Sequence, residues 1–203
     1  MQFRSLARTS YLFRVGENGT LRLTNVSGFT PYEGMAYGQP MVISEGNLQI
    51  DGGYYCNMID SFSSSGSTRG AAILIDGGTA VINGGRYAGT ACGIAVRNDA
   101  QLTVNNGYIG SLDTGLYIGD NASVVIHDGE FDRYEKTSSS SKSQNCAVMM
   151  NSTGDLTIYG GSFYGAKQGL FLQSAGQVTI WNGSFKSRNP RAVSYTHLRA
   201  HET

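Results

Sequence analysis

The chain has 203 residues and balances 15 Lys and Arg against 15 Asp and Glu, so it carries no net charge, which excludes a basic nucleic-acid clamp. Charged residues make up 15 % and hydrophobic residues 40 %, enough to bury a core and too apolar for wholesale disorder. No run approaches the roughly 18 apolar residues of a membrane-spanning helix, and 28 glycines against 3 prolines point to many turns between short strands.

Residues 1–14, MQFRSLARTSYLFR, carry scattered arginines without the apolar stretch of a secretory signal and are read as a lead-in or cap. Leu21-Arg-Leu-Thr-Asn25 is a degraded first copy of a pattern that then recurs down the chain. The pattern is apolar-x-apolar-x, two turn residues ending in glycine, then x-aromatic or x-Ile. It appears as Leu48–Tyr55, Ala80–Tyr87 and Leu102–Ile109, and again as Val124–Phe131, Leu156–Phe163 and Val178–Phe185. The anchoring glycines, Gly53, Gly85, Gly107, Gly129, Gly161 and Gly183, are spaced 32, 22, 22, 32 and 22 residues apart. A second apolar strand precedes each copy, with its end expected at Val42, Leu74, Val96, Ile118, Met150 and Leu172. The two long periods contain ten-residue additions within Cys56–Arg69 and Asp132–Asn145, which hold the serine-rich stretches SFSSSGS and TSSSSKS. These are expected to leave the coil three rises apart, about 14 Å, a spacing that could wall a shallow groove, but low-complexity serine favours flexible loops of the kind solenoids tolerate over a formed wall. Val193–Thr203, VSYTHLRAHET, reads as translated sequencing adapter, and Ala192 fits the same frame. Residues 188–203 are expected to be a disordered tail, 192–203 an artefact, and the natural chain to run on past Arg191.

Each period holds alternating apolar strands joined by tight turns. One unit cannot bury its apolar face alone, whereas stacked units can. On its near-22-residue coils and its apolar-x-apolar-x-Asn/Gly-Gly turns, the sequence resembles the right-handed parallel β-helix proteins of the pectin-lyase-like group over residues 15–187. The resemblance implies an all-β solenoid with two ten-residue loop insertions, and leaves activity open because fold does not fix function. It also brings in lyases and hydrolases of acidic polysaccharides, which carry carboxylates on one outward face, with calcium in the lyases. The hydrolase motifs Asn-Thr-Asp and Asp-Asp followed by His-Gly are absent. The densest acidic stretch, His127-Asp-Gly-Glu-Phe-Asp-Arg133, places Glu130 and Asp132 outward and reads as a solvated turn. Asp76, Asn98 and Asp120 read as corner residues, and Asn83, Asn105 and Asn106 as turn residues bonding the next coil. No catalytic residue, cofactor or metal ligand is assigned.

Register then sorts residues into columns about 4.8 Å apart per coil. Tyr55, Tyr87, Ile109, Phe131, Phe163 and Phe185 form an inward column. Outward, Asp51, Asn83 and Asn105 continue into His127, Tyr159 and Trp181, an aromatic row expected to make one apolar platform. A second outward column is expected from Ile73, Ala95, Tyr117, Met149 and Phe171. Exposed aromatics of this kind suit sugar rings or a protein interface. Cys92 and Cys146 share a column with Thr114 between them, about 9.6 Å apart and too far for a disulfide, so Cys56, Cys92 and Cys146 are expected as free thiols. Asn121, Asn151 and Asn182 head short glycosylation sequons of the kind that chance supplies. The expected function is that of a bacterial or phage surface or secreted protein presenting an extended face to a glycan or protein partner, adhesin-like and extracellular. A partial polysaccharide lyase or glycoside hydrolase is the alternative, and a structural spacer or phage fibre segment the third reading. Homo-oligomerisation is left open.

Overall fold

The structure, a computed structural model, describes residues 2–4, 11–29, 39–57, 70–133 and 145–188. The serine-rich additions and the adapter-like tail lie outside the described residues. Strand β1 (Gln2–Arg4) precedes seven coils of three strands each. Coil 1 holds β2 (Phe13–Val15), β3 (Thr20–Leu23) and β4 (Val26–Phe29). Coil 2 holds β5 (Val42–Ser44), β6 (Asn47–Ile50) and β7 (Gly53–Asn57), and coil 3 holds β8 (Ile73–Asp76), β9 (Thr79–Ile82) and β10 (Arg86–Gly89). Coil 4 holds β11 (Cys92–Arg97), β12 (Gln101–Val104) and β13 (Tyr108–Ser111), and coil 5 holds β14 (Thr114–Asp120), β15 (Ser123–Ile126) and β16 (Glu130–Arg133). Coil 6 holds β17 (Cys146–Ser152), β18 (Leu156–Ile158) and β19 (Ser162–Gly165), and coil 7 holds β20 (Gln168–Ser174), β21 (Val178–Ile180) and β22 (Ser184–Ser187).

The first strand of each coil joins a first sheet, β2-β5-β8-β11-β14-β17-β20, and the second a second sheet, β3-β6-β9-β12-β15-β18-β21. The third strands, with β1, make a third sheet, β1-β4-β7-β10-β13-β16-β19-β22. Every pairing among the described strands is parallel. The chain is an all-β parallel β-helix, and no helix occurs among the described residues.

The anchoring glycines explain the period. All six have positive φ, from 105° at Gly85 to 148° at Gly183. At Gly53 a side chain would also overlap the backbone carbonyl of Val26 on the coil below. Only glycine supplies that backbone angle and that close approach together. Each glycine turns the chain from the second sheet into the third, and the residue two positions later enters the inward column. Tyr87 stands in register with Tyr55 and Ile109, Phe131 with Ile109 and Phe163, and Phe163 with Phe185. Tyr55, Tyr87, Ile109, Phe131 and Phe163 are fully buried. Their rings stack at 5.4 Å for Tyr55 on Tyr87 and 4.8 Å for Phe131 on Phe163.

One part of the expected register needs correction. The first-sheet column is Ser44, Ile75, Val96, Ile118, Met150 and Leu172, so Val42 and Leu74 do not belong to it. The corner into the second sheet varies in length. It uses Arg97–Gln101 in coil 4, only Asp76–Thr79 in coil 3, and only Glu45–Asn47 in coil 2. Glycines permit the shortening: Gly78 takes φ 65°, and a side chain on it would meet the Gly46 carbonyl. The slip also moves Ile73. It pairs with Ile94 and lies in the core, and Leu74 takes its place beside Ala95.

Candidate functional site

The corner that follows the second sheet carries one residue per coil from Asp51 to Trp181. Each backbone N–H donates to a carbonyl of the coil below: Asn83 to Ile50, Asn105 to Ile82, His127 to Val104, Tyr159 to Ile126 and Trp181 to Ile158, all at 2.7–2.8 Å. The row therefore has a fixed pitch, and its chemistry changes along it.

Its first half is polar and internally bonded. Asn105 Nδ2 donates to Asn83 Oδ1 and Asn83 Nδ2 to Asp51 Oδ1, both at 2.7 Å. Asp51 also accepts from Gln49 Nε2 at 2.7 Å and from Arg22 Nε of coil 1. Hydrogen bonds from Gln49, Asn83 and Arg22 hold its carboxyl well below the usual carboxylate range. The second half is aromatic. His127 stacks on Tyr159 with ring centroids 5.0 Å apart and planes 6° from parallel. Tyr159 stacks on Trp181 at 6.5 Å and 2°. The rings thus form a stepped stack, each sharing part of its face with the next. Tyr159 is 47 % exposed and Trp181 71 %. Thr157 and Thr179 lie two residues earlier on the outward side of the second sheet and pair with each other.

The second outward column has a different character. Ala95, Tyr117, Met149 and Phe171 are in register as expected. Tyr117 and Phe171 are half-buried, Ala95 is buried, and Met149 is only 4 % exposed. Leu74, Ala95, Ala71 and Cys92 make a small apolar cluster of their own, with Ile43 and Tyr117 packed against it. This face is largely closed, in contrast to the aromatic row.

A polar seam runs along the corner between the third and first sheets. Asn57, Ser111, Asp113, Thr114 and Asn145 are all buried there. Asn57 Nδ2 donates to the carbonyls of Ala71 at 2.6 Å and Gln39 at 3.0 Å, and the Asn145 N–H donates to Asp113 Oδ1 at 3.2 Å. Cys92 pairs in register with Thr114, and Thr114 with Cys146. No disulfide joins Cys56, Cys92 and Cys146, as expected, and the separation along their column explains this for Cys92 and Cys146. Burial pushes the Cys92 thiol up, and the Cys146 thiol up to about 12. Buried thiols of this kind are poor nucleophiles.

The acidic stretch splits. Asp128 Oδ1 accepts the Gly129 N–H at 2.8 Å as a turn residue, Glu130 pairs with Tyr108 on the outer side of the third sheet, and Asp132 accepts from Tyr108 Oη at 3.4 Å. Among the described residues no group of three or more His, Cys, Asp or Glu side chains is placed to hold a metal ion. No described helix is long and apolar enough to cross a membrane. Reading the sequence did not connect Arg22 and Gln49 to the row, because they reach Asp51 through side-chain hydrogen bonds that strand periodicity does not encode. No family model, no curated protein and no solved structure matches this chain.

Proposed function

We propose that this chain is a glycan-binding module of a secreted or cell-surface protein, and that it holds a neutral saccharide against the His127–Tyr159–Trp181 row. We also take the coil to be right-handed, since parallel crossover connections are right-handed in about 98 % of cases, and pectin-lyase-like on its near-22-residue coils and apolar-x-apolar-x-Asn/Gly-Gly turns. The observation that carries the reading is the exposure of Tyr159 and Trp181 at 47 % and 71 % on a corner of fixed pitch. Aromatic rings offer apolar area to the C–H faces of a sugar at little entropic cost. The hydroxyls of Thr157 and Thr179, on the same side of the second sheet, suit the rim of the same ring. Further toward coil 2, the Asn105 and Asn83 amides continue the row with hydrogen-bonding groups, so a chain lying along the axis meets stacking first and polar contacts next.

Such binding is weak, because an open corner removes little of the ligand from water. It is also insensitive to salt, because no charge carries it. The test is a glycan array on the intact protein, repeated with Trp181→Ala after circular dichroism has verified the fold. Loss of binding supports the row as the site. Unchanged binding in the folded variant removes the row and points to Tyr117 and Phe171. The absence of any glycan ligand favours a structural spacer.

A further inference from the structure

Four asparagine–glycine pairs occur in the chain: Asn18-Gly19, Asn83-Gly84, Asn106-Gly107 and Asn182-Gly183. In such a pair the glycine brings no side chain to keep its nitrogen from the asparagine carboxamide, and the two can close a five-membered ring. All four asparagines are exposed, so exposure does not separate them. Their hydrogen bonds do.

Two pairs are restrained. The Gly19 N–H donates to the Gly16 carbonyl at 2.7 Å, which holds that nitrogen on the main chain. Asn83 is held by its side chain instead. Its Nδ2 donates to Asp51 Oδ1 and its Oδ1 accepts from Asn105 Nδ2, both at 2.7 Å. The carboxamide is tied into the polar row on both sides and cannot fold back on the Gly84 nitrogen while those bonds last. Asn106 does fold back. Its Oδ1 accepts the Gly107 N–H at 2.7 Å, and Asn182 makes the same contact with Gly183 at 2.8 Å. An oxygen that close puts the Cγ bonded to it beside the glycine nitrogen, in the kind of pre-positioned arrangement that speeds a reaction. Asn106 lies in coil 4, with described coils on both sides.

The fold itself supplies the reactive glycine. Gly107 is an anchor at φ 141°, a backbone angle that residues with side chains rarely adopt. The position before the anchor holds Gly52, Gly84 and Gly160 in coils 2, 3 and 6, and Asn106 in coil 4.

We propose that Asn106 is a site of spontaneous modification, in which its side chain deamidates through a succinimide. The Gly107 nitrogen gives up its proton and attacks Asn106 Cγ. The N–Cγ bond forms, the Cγ–Nδ2 bond breaks, and ammonia leaves with that proton. Water then adds to one of the two ring carbonyls, and no oxidant or reductant takes part. Opening at Cγ gives aspartate. Opening at the main-chain carbonyl gives isoaspartate, whose backbone runs through Cβ and Cγ and is one atom longer. Aspartate at 106 copies Asp128 of the next coil, whose Oδ1 accepts the Gly129 N–H at 2.8 Å, and leaves the coil intact. Isoaspartate lengthens the chain directly before Gly107. There the Tyr108 N–H donates to the Gly85 carbonyl and the Gly107 carbonyl accepts from the Glu130 N–H, both at 2.8 Å, so the longer link disturbs the ladder toward both neighbouring coils.

Peptide mapping by mass spectrometry of the folded chain, over a time course at mildly alkaline pH, tests this. Carboxyl methylation by an isoaspartyl methyltransferase counts the isoaspartate. Asn106 is expected to convert about tenfold faster than Asn18 and Asn83, or more. In concentrated urea, where the restraints are gone, the three rates converge. Asn105→Ala, with its fold verified by circular dichroism, releases Asn83 Oδ1 and is expected to speed conversion at Asn83 severalfold. An Asn106 that converts no faster in the folded chain than Asn18 or Asn83 overturns the proposal, as does the same spread of rates in urea. An Asn83 unmoved by Asn105→Ala overturns the protection assigned to the polar row. None of these readouts depends on whether the aromatic row binds a glycan.

Discussion

Two aromatic stacks climb through the same three coils, one inside and one outside. Phe131 and Phe163, both fully buried, stack at 4.8 Å, and Phe185, 37 % exposed, continues their inward column at 4.6 Å. His127, Tyr159 and Trp181, each four residues earlier, follow at 5.0 and 6.5 Å on the outer corner. Coil spacing and near-parallel ring alignment are alike, so the stacks separate two contributions that usually come together. Ring-on-ring contact adds about 0.5–1.5 kcal/mol beyond burial in either setting. Removal of the whole side chain from water, together with close packing around it, belongs to Phe131 and Phe163 of the inner stack alone. The inner stack holds coils together, and the outer stack leaves its rings available.

The comparison is broken most directly at Phe163. Phe163→Ala is expected to cost about 3–5 kcal/mol, because it removes a fully buried ring and leaves a cavity between Phe131 and Phe185. Urea denaturation measures it, and a loss below about 1 kcal/mol would contradict the inward assignment.

Alkaline titration sharpens the same contrast with a smaller effect. Burial raises Tyr55 and Tyr87 in the inner column and Cys92 and Cys146 in the seam beside it. Each of these groups keeps its proton longer in the folded chain than in the unfolded one. Their contribution is fully present below the unfolded values, about 8.5 for Cys and 10 for Tyr. It is lost as pH rises through the folded ones, with Cys146 at about 12. The melting temperature should therefore fall once pH exceeds about 8.5, and Cys146→Ala should soften the slope. A flat profile to pH 11 would show that these groups are not desolvated.

Tyr159→Ala is the smallest change, expected within about 1 kcal/mol of wild type by the same urea measurement, since the ring is 47 % exposed. Equal losses at Tyr159 and Phe163 would make the inside–outside distinction meaningless.

The glycine anchors made the coil legible, because a positive φ combined with a carbonyl of the coil below admits no other residue at Gly53. Pattern and spacing then placed Phe163 inside and Tyr159 outside. Ile73 was misplaced for the opposite reason. Its register depends on how many residues the preceding and following corners consume, and apolar alternation carries no count of corner residues. The closure of Met149 on an outward column was equally hidden, since a period of two specifies which side a residue faces and nothing of what packs over that side. Gly28, in register with Tyr55 of the inward column, likewise reads as an ordinary glycine until Leu12 and Met41 are seen 2.6 Å from where its Cβ would stand. The polar half of the outer row was legible as Asn and Asp at coil spacing, but its hydrogen-bonded order toward Asp51 was not.

The uneven corner between the first and second sheets also bears on how such a chain tolerates change in its gene. Coils 2 and 3 close that corner with Glu45–Asn47 and Asp76–Thr79 where coil 4 uses Arg97–Gln101, yet Leu48, Ala80 and Leu102 remain in one column. The corner works as a slip joint. Losing or gaining a codon there is absorbed locally, whereas the same event inside Leu102–Val104 would invert every side chain downstream until the next turn. Single-codon deletions scanned along coil 4 would map that tolerance onto Asn98–Ala100 and show none within the strand.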